Sequence, residues 1–311
     1  MVKRGEKAKG IIMLLMASVF WGSSFAVVKD SLDYVTPMWQ LFFRLFVAVA
    51  VMAVIFQGKI RKLTRKQIVF GIKAGTAITL ALCFQNEGCN LTTAGKSSFL
   101  TCCYVAFVPV LALVWKRIKN PLQKYAAAVI CIAGIGFITL EQGLTINFGD
   151  ILTLICAVFY AVHIIVVEDT PEEMSPVMVQ FLQMTTACVM SLAAAFVLEP
   201  LPEIGEMGNR AWFSIVYCGI FEVMIGFLLQ IEGQVRTSAT LTALLTSLES
   251  VFGCVFSALL LGEEFSPRMV IGCVLIFVSV LVSELPFERF MPSKDLNVTD
   301  QTSKVPILKK S

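Results

Sequence analysis

Long apolar runs, separated by short polar or proline-containing breaks, follow one another along this chain from Gly10 almost to Glu284. A bilayer core about 30 Å thick is crossed by about 20 apolar residues in a helix, and the runs have about this length. The pattern therefore predicts an all-α integral membrane protein with ten transmembrane helices. The predicted spans lie at about residues 10–28, 37–56, 67–85, 95–115, 122–140, 149–167, 176–198, 211–231, 237–261 and 267–285.

Lysine and arginine are distributed unevenly over the breaks. If the N-terminus is inside, 19 of them fall on cytoplasmic segments and only four on outer ones. Because cytoplasmic loops carry the excess of basic residues, this ratio predicts that the N- and C-termini are both cytoplasmic.

The chain repeats itself. Between 85–110 and 230–255, nine of 26 aligned positions are identical. A second match, at an offset of 139 residues, links Gly10 and the residues after it to Gly149 and the residues after it. Each copy would hold five helices, and since five is odd the second copy enters the membrane from the opposite side. Such inverted repeats are used by secondary transporters, with the substrate site near the midplane between the halves.

The repeat divides the chain into four parts. Residues 1–9 are predicted to be a cytoplasmic N-terminus, 10–140 the first five-helix repeat, 149–285 the second, and 286–311 a disordered cytoplasmic tail.

Composition supports a membrane protein and excludes several other classes. The chain is 57% hydrophobic and 15% charged, whereas a soluble domain carries about 25% charged residues. Ten cysteines accompany a single histidine, so the cysteines are interpreted as small buried hydrophobes, with only Cys89 facing water. The sequence contains no metal-ligand cluster, phosphate loop, catalytic triad or nucleic-acid signature. We therefore expect no cofactor, no metal, no ATP, no nucleic acid and no enzymatic activity.

Two glutamates are predicted to lie near the midplane. Glu249 is twelve residues into its span and Glu222 eleven into its own. A charged side chain at the bilayer centre costs at least about 2.5 kcal/mol and usually faces a cavity or a partner. Each glutamate is a candidate proton carrier or amine ligand; the alternative is a protonated, hydrogen-bonded structural acid. Arg44, also within a span, is predicted to bind a substrate carboxylate or to form a structural pair with one of the two acids.

Other polar and aromatic residues are candidates for a pathway. Trp21 and Tyr160 are repeat partners within their spans, and Tyr104 is the repeat partner of Glu249; they are interpreted as cavity walls or as ordinary core. His163, which matches Ser24 in the first repeat, is a packing residue or a proton relay. The predicted substrate pathway comprises Trp21, Ser24, Arg44, Tyr104, Tyr160, His163, Gln183, Glu222 and Glu249. Its two mouths are predicted at Gln85, Glu87, Gln230 and Glu232, which would gate the pathway or simply be solvated helix ends.

Several motifs resemble the drug/metabolite transporter superfamily, and most closely its ten-helix EamA branch. The motifs are Phe20 to Phe25, Phe43 to Leu45, Gln85 to Gly88, Thr92 to Lys96, Tyr104 to Pro109, Phe159 to Ile164, Ser247 to Ser250 and Gly262 to Glu264. The resemblance implies a transporter of amino acids and related metabolites, usually an exporter. Because the family keeps arginine at 44 across diverse substrates, it favours the structural pair there. This sequence has Ser250 where the family usually has proline, which leaves the expected kink of the ninth helix open.

We therefore expect a secondary transporter in the inner or plasma membrane, exporting small amphipathic metabolites by alternating access. Coupling to protons through Glu249 or Glu222 and facilitated diffusion both stay open, as does the choice between monomer and homodimer. The alternatives are a ligand sensor on the same scaffold and, with least support, a membrane-embedded enzyme.

Overall fold

The computed structural model describes residues 4–60, 63–118, 120–139, 147–262 and 266–284, and within them all regular secondary structure is helical. The principal helices are α1 (Arg4–Ser31), α2 (Pro37–Ile55), α3 (Arg65–Leu91), α4 (Ala94–Lys116), α5 (Leu122–Thr139), α6 (Phe148–Glu168), α7 (Pro176–Leu198), α8 (Asn209–Gln234), α9 (Ala239–Leu261) and α10 (Pro267–Glu284). A short helix, Gln57–Ile60, follows α2. The tail predicted at 286–311 lies outside the described residues.

Eight of these helices are long and apolar enough to cross a membrane. The other two, α5 and α10, contain the shorter apolar stretches Leu122–Gly134 and Val270–Val282 and pack against each other. The all-helical membrane fold expected from the hydropathy pattern is therefore confirmed.

Helices α4 and α9 are each broken in the middle. The first consists of Ala94–Thr101 and Tyr104–Lys116, and the second of Ala239–Thr246 and Glu249–Leu261, with a two-residue turn in each gap. The turn in α9 forms although proline is missing at position 250. Ser250 donates its backbone N–H at 3.1 Å and its hydroxyl at 2.7 Å to the carbonyl of Ser247, so a local network holds the turn.

Helix α8 changes its pitch in the middle. A π-helical segment, Cys218–Gly226, separates the α-helical segments Asn209–Tyr217 and Phe227–Gln234. π-Helical turns are rare in proteins and often occur at functional sites. This one carries Glu222.

Helices from the two halves of the chain pack against each other. Helix α1 contacts α8 and α9, while α3 contacts α6 and α7. Gly22 of α1 allows one of these close approaches, because a Cβ atom there would lie 2.8 Å from the carbonyl oxygen of Glu249 and 2.8 Å from the backbone nitrogen of Gly253. The glycine therefore brings α1 directly onto the broken part of α9.

Ion pairs join the helix ends at both ends of the bundle. At one end Lys116 contacts Glu168 at 3.0 Å, and Arg236 contacts Glu6 at 3.3 Å. At the other end, Lys96 contacts Asp150 at 2.6 Å, and Arg210 contacts Asp30 at 3.0 Å. Each pair links segments that the hydropathy pattern assigns to the same side of the membrane.

Candidate functional site

A small cavity lies where the break of α9 faces α1, α4, α6 and α8. Its volume is about 10 Å³, which is close to the minimum for a single water molecule. Both halves of the chain line it. The lining residues are Trp21, Tyr104, Tyr160, His163, Ile164, Phe227, Gln230, Thr246 and Glu249.

Aromatic rings form most of the wall. The ring centroids of Trp21 and Phe227 are 4.8 Å apart, and those of Tyr104 and Tyr160 are 6.1 Å apart. All four side chains are buried. The structure therefore brings together the three aromatic residues singled out from the sequence, and adds Phe227.

Glu249 is the acidic group of the cavity. It is the first residue of the second half of α9 and only 4% exposed. The thiol of Cys102 donates to this carboxylate, with Sγ 3.5 Å from Glu249 Oε1. The salt bridges found among the described residues do not include Glu249, so its carboxylate carries no permanent counter-charge there.

Glu222 has a very different environment. Arg44 donates to Glu222 Oε2 at 2.9 Å and to Asn86 Oδ1 at 2.9 Å. Asn86 in turn donates to the carbonyl of Pro37 at 2.8 Å and to Gln40 Oε1 at 3.0 Å. Of the two acids considered for Arg44, the structure thus pairs it with Glu222, and neither partner lines the cavity. The pair joins α2 to α8, and Asn86 links both to α3.

His163 begins a chain of side-chain amides. Its Nε2 lies 2.9 Å from Gln183 Oε1, Gln183 donates to Gln180 Oε1 at 2.7 Å, and Gln180 donates to the carbonyl of Val223 at 2.6 Å. Gln183 is thus one step removed from the cavity. Ser24 is also set back from the wall, and its hydroxyl donates to the carbonyl of Trp21 at 2.7 Å.

The four residues predicted at the mouths occupy two kinds of position. Gln85 and Gln230 are 8% and 1% exposed, so the interpretation as solvated helix ends is wrong for both. Gln230 lines the cavity, and Gln85 accepts a hydrogen bond from the Tyr160 hydroxyl at 3.0 Å. Glu87 and Glu232 are half-buried, and Glu232 is paired with Arg236 at 2.5 Å.

The ten cysteines are buried or half-buried thiols, and Cys89 is buried, which corrects the expectation that it faces water. The repeat could not predict this burial, because it pairs Cys89 with the polar Gln234 and does not show that α6 covers this part of α3. Within the described residues, no group of three or more His, Cys, Asp and Glu side chains could hold a metal ion.

Sequence reasoning missed three residues that line the cavity, Ile164, Phe227 and Thr246, and also Gln180 behind it. Thr246 carried a usable signal, since it is one of the identities between the two copies, at the position of Thr101. Ile164, Phe227 and Gln180 are not identities of the repeat, and only individual contacts among α6, α7 and α8 reveal them.

Comparisons with known proteins agree with this architecture. The model of the EamA-like transporter family matches the chain twice, at residues 8–140 and 147–285. An uncharacterized transporter of Archaeoglobus fulgidus is 29% identical over 272 residues, which cover 88% of this chain and 84% of the relative. The uncharacterized transporter YvbV of Bacillus subtilis is 22% identical, covering 90% of this chain and 92% of YvbV. One solved crystal structure shares the fold with a TM-score of 0.74 at 17% identity, covering 92% of this chain and 99% of that one.

Proposed function

Because this chain belongs to the EamA-like transporter family, a family of multi-pass membrane transporters, we propose that it is a secondary transporter that exports small amphipathic metabolites by alternating access. Amino acids and related compounds are the proposed class. The observation that carries the proposal is the central cavity, which both halves of the chain line and which holds the buried carboxylate of Glu249. We place the protein in the inner or plasma membrane.

An inverted five-plus-five repeat is the proposed construction. The breaks of α4 and α9 are separated by the repeat offset of 145 residues, and so are the helix ends at Arg117 and Gly262, with φ angles of 56° and 69°. The ion pairs at each end of the bundle link segments assigned to one side of the membrane. These features support cytoplasmic N- and C-termini and opposite orientations of the two halves.

Alternating access requires the cavity to widen. A volume of about 10 Å³ is far smaller than an amino acid, so the described conformation is closed around its centre. The breaks of α4 and α9 and the π-helical segment of α8 border this cavity or adjoin the residues that line it. Such interruptions of the regular helical ladder are natural points of bending. In the proposed cycle, the halves of α4 and α9 bend there to open the cavity towards one side at a time.

Coupling to protons is proposed to use Glu249 rather than Glu222. A carboxylate at the bilayer centre is stable when it is protonated or when it is paired with a cation. Glu222 already has the guanidinium of Arg44 as its partner, whereas the salt bridges found among the described residues do not include Glu249. Glu249 is therefore the acid that can exchange a proton for a cargo.

The test is counterflow in proteoliposomes, with amino acids and amines as cargo. Glu249→Gln keeps the shape of the side chain and removes the exchangeable charge, so we expect it to abolish flux or to decouple it from the pH gradient. Glu172→Gln, an exposed acid in the loop after α6, is the matched control and should transport at the wild-type rate. A Glu249→Gln protein with wild-type flux and pH dependence would contradict the role, and cargo binding without any flux would favour a ligand sensor.

A further inference from the structure

Two buried acceptor atoms at the cavity have no hydrogen-bond partner. They are His163 Nδ1 and Gln230 Oε1, on side chains that are 0% and 1% exposed. Both residues line the cavity, together with Glu249. A buried polar atom without a partner is destabilising, because its hydration is lost and no hydrogen bond replaces it. Two such acceptors in the cavity that also holds a carboxylate therefore call for an explanation.

The hydrogen-bond chain behind His163 determines which ring nitrogen carries the proton. The carbonyl of Val223 can only accept, so Gln180 must donate its Nε2 to it and offer its Oε1 to Gln183. Gln183 therefore donates to Gln180 and turns its own Oε1 towards His163 Nε2, at 2.9 Å. The hydrogen of a neutral His163 must then be on Nε2, which leaves Nδ1 as an unused acceptor.

The side-chain donors on the cavity wall already have acceptors within the protein. Trp21 Nε1 donates to the carbonyl of Glu222 at 3.3 Å, and Gln230 Nε2 donates to Gln234 Oε1 at 3.0 Å. The three wall hydroxyls are used in the same way. The Tyr104 hydroxyl donates to Thr246 Oγ1 at 3.0 Å, and the Tyr160 hydroxyl donates to Gln85 Oε1 at 3.0 Å. The Thr246 hydroxyl donates to the carbonyl of Thr242 at 2.8 Å. The wall thus offers acceptors to a cargo, with its side-chain donors already committed.

The charge of the wall points the same way. Among the described residues that line the cavity, Glu249 is the one with a formal charge, and none is lysine or arginine. Arg44, the buried arginine of the bundle, is neutralised by Glu222. A cargo carboxylate would therefore meet neither a cation nor a free side-chain donor at this wall.

The aromatic rings complete a site for a cation. A cation within about 6 Å of the face of an aromatic ring is attracted by the ring, most strongly where water is excluded. Trp21, Tyr104, Tyr160 and Phe227 line the same cavity as the acid.

We propose that, within the class of amino acids and related compounds, this cavity selects the amines over the amino acids themselves. It binds an organic ammonium, a primary amine carried on an aromatic or apolar frame, and discriminates against a carboxylate on the same frame. The ammonium pairs with Glu249 and donates to His163 Nδ1 and Gln230 Oε1, while the frame packs on the aromatic wall. That this ligand is also the cargo rests on the proposed transport function, whereas its binding does not.

Four ligands on one phenyl frame test the proposal. Phenethylamine has the ammonium alone, phenylalanine has both charges, 3-phenylpropionate has the carboxylate alone, and N,N,N-trimethylphenethylammonium has the charge without donors. Dissociation constants are measured with the purified full chain by thermal-shift titration. We expect phenethylamine to bind at least tenfold more tightly than phenylalanine and the trimethylated amine, and 3-phenylpropionate not to compete. Equal or tighter binding of phenylalanine or 3-phenylpropionate, or no binding of phenethylamine, would overturn the proposal.

Variants assign the effect to the cavity. Glu249→Gln should abolish phenethylamine binding, and Gln230→Leu, which removes only a neutral acceptor, should reduce the preference for the primary over the trimethylated amine. Glu172→Gln should retain the wild-type constants. Unchanged binding by both cavity variants would contradict the assignment, and size-exclusion chromatography verifies that each variant is folded.

Counterflow with the same ligands separates this proposal from the transport function. Binding of phenethylamine without flux would overturn transport and leave the ligand class standing. Flux of phenylalanine together with weaker binding of phenethylamine would overturn the ligand class and leave transport standing.

Discussion

Two glutamates are buried in this bundle, and they have opposite partners. Glu222 is joined to Arg44 at 2.9 Å, in a network that also contains Asn86 and Gln40. Glu249 has a thiol at 3.5 Å and a wall of aromatic rings. Both are 4% exposed, so burial alone does not distinguish them. Their neighbours show that one acid is part of the framework and the other is available to a ligand.

The backbone also differs between the two acids: one lies within a helix and the other begins a helix segment. Glu222 is inside a continuous run of helical residues in α8, within the π-helical segment that packs against α2. Glu249 begins a helix segment immediately after a turn, at a helix N-terminus that favours a negative charge by about 0.3–1 kcal/mol. A carboxylate held in this way stays tolerable in a buried site without a permanent cation. The break in α9 therefore serves the site as well as the movement.

Breaking the framework pair should have the largest effect on stability. Glu222→Gln leaves the guanidinium of Arg44 buried without its counter-charge, and loss of one partner of a buried ion pair costs about 3–5 kcal/mol. We expect a decrease of this size in the free energy of unfolding, measured by SDS titration in mixed micelles.

The double variant Arg44→Met/Glu222→Leu is the control for that measurement. It removes both charges, and replacing a buried pair by apolar residues is often neutral or stabilising. We expect it to recover most of the stability lost in Glu222→Gln. A double variant as unstable as the single one would show that the pair has no such framework role.

Asn86 should have the next largest effect, because it accepts a hydrogen bond from the second terminal nitrogen of the Arg44 guanidinium. Asn86→Leu leaves one guanidinium nitrogen without its acceptor, and a hydrogen bond to a charged group contributes about 1.5–3 kcal/mol. The same titration should show a loss in this range. Asn90→Leu, at the exposed end of α3, is the matched control and should be near wild type. Equal stability of the two variants would remove Asn86 from the network.

The contrast between the acids could be predicted from the sequence only in part. Hydropathy and the position of each residue in its span placed both glutamates near the midplane, and the repeat paired Glu249 with Tyr104. The partner of Arg44 could not be chosen, because either acid was at a suitable depth and depth says nothing about which helix faces which. The packing of α2 against the π-helical segment of α8, which carries Glu222, determines the partner.

The break in α9 shows the same limit. The missing proline at 250 removed the usual sequence signal for a kink, yet the turn before Glu249 forms. Its carbonyl at Ser247 is satisfied by the Ser250 hydroxyl at 2.7 Å and by Cys102 Sγ at 3.4 Å. One of these donors comes from α4, the other broken helix. Tertiary contacts of this kind leave no periodic mark in a sequence.

Trp21 links the two acids, and its loss should have a small effect. Its indole ring lines the cavity of Glu249, while its Nε1 donates to the carbonyl of Glu222 at 3.3 Å. Trp21→Phe keeps an aromatic wall and removes this bond, and interhelical hydrogen bonds in membranes contribute about 0.6 kcal/mol on average. We expect a loss of about this size in the SDS titration. Trp212→Phe, on the more exposed face of α8, is the control, and a loss above about 2 kcal/mol for Trp21→Phe would mean that the indole is a framework residue.

Glu249→Gln should have the smallest effect on stability, although it is expected to have the largest effect on transport. The amide retains an oxygen that can accept from the Cys102 thiol, and it removes a charge that would cost at least about 2.5 kcal/mol at the bilayer centre. The unfolding free energy should therefore stay at or above the wild-type value. A loss of about 3 kcal/mol, like that expected for Glu222→Gln, would mean that Glu249 also has a permanent partner, and the distinction between the two acids would fail. Wild-type stability together with lost flux identifies Glu249 as a group whose charge serves a ligand or a proton, because removing one charge of a buried framework pair costs stability.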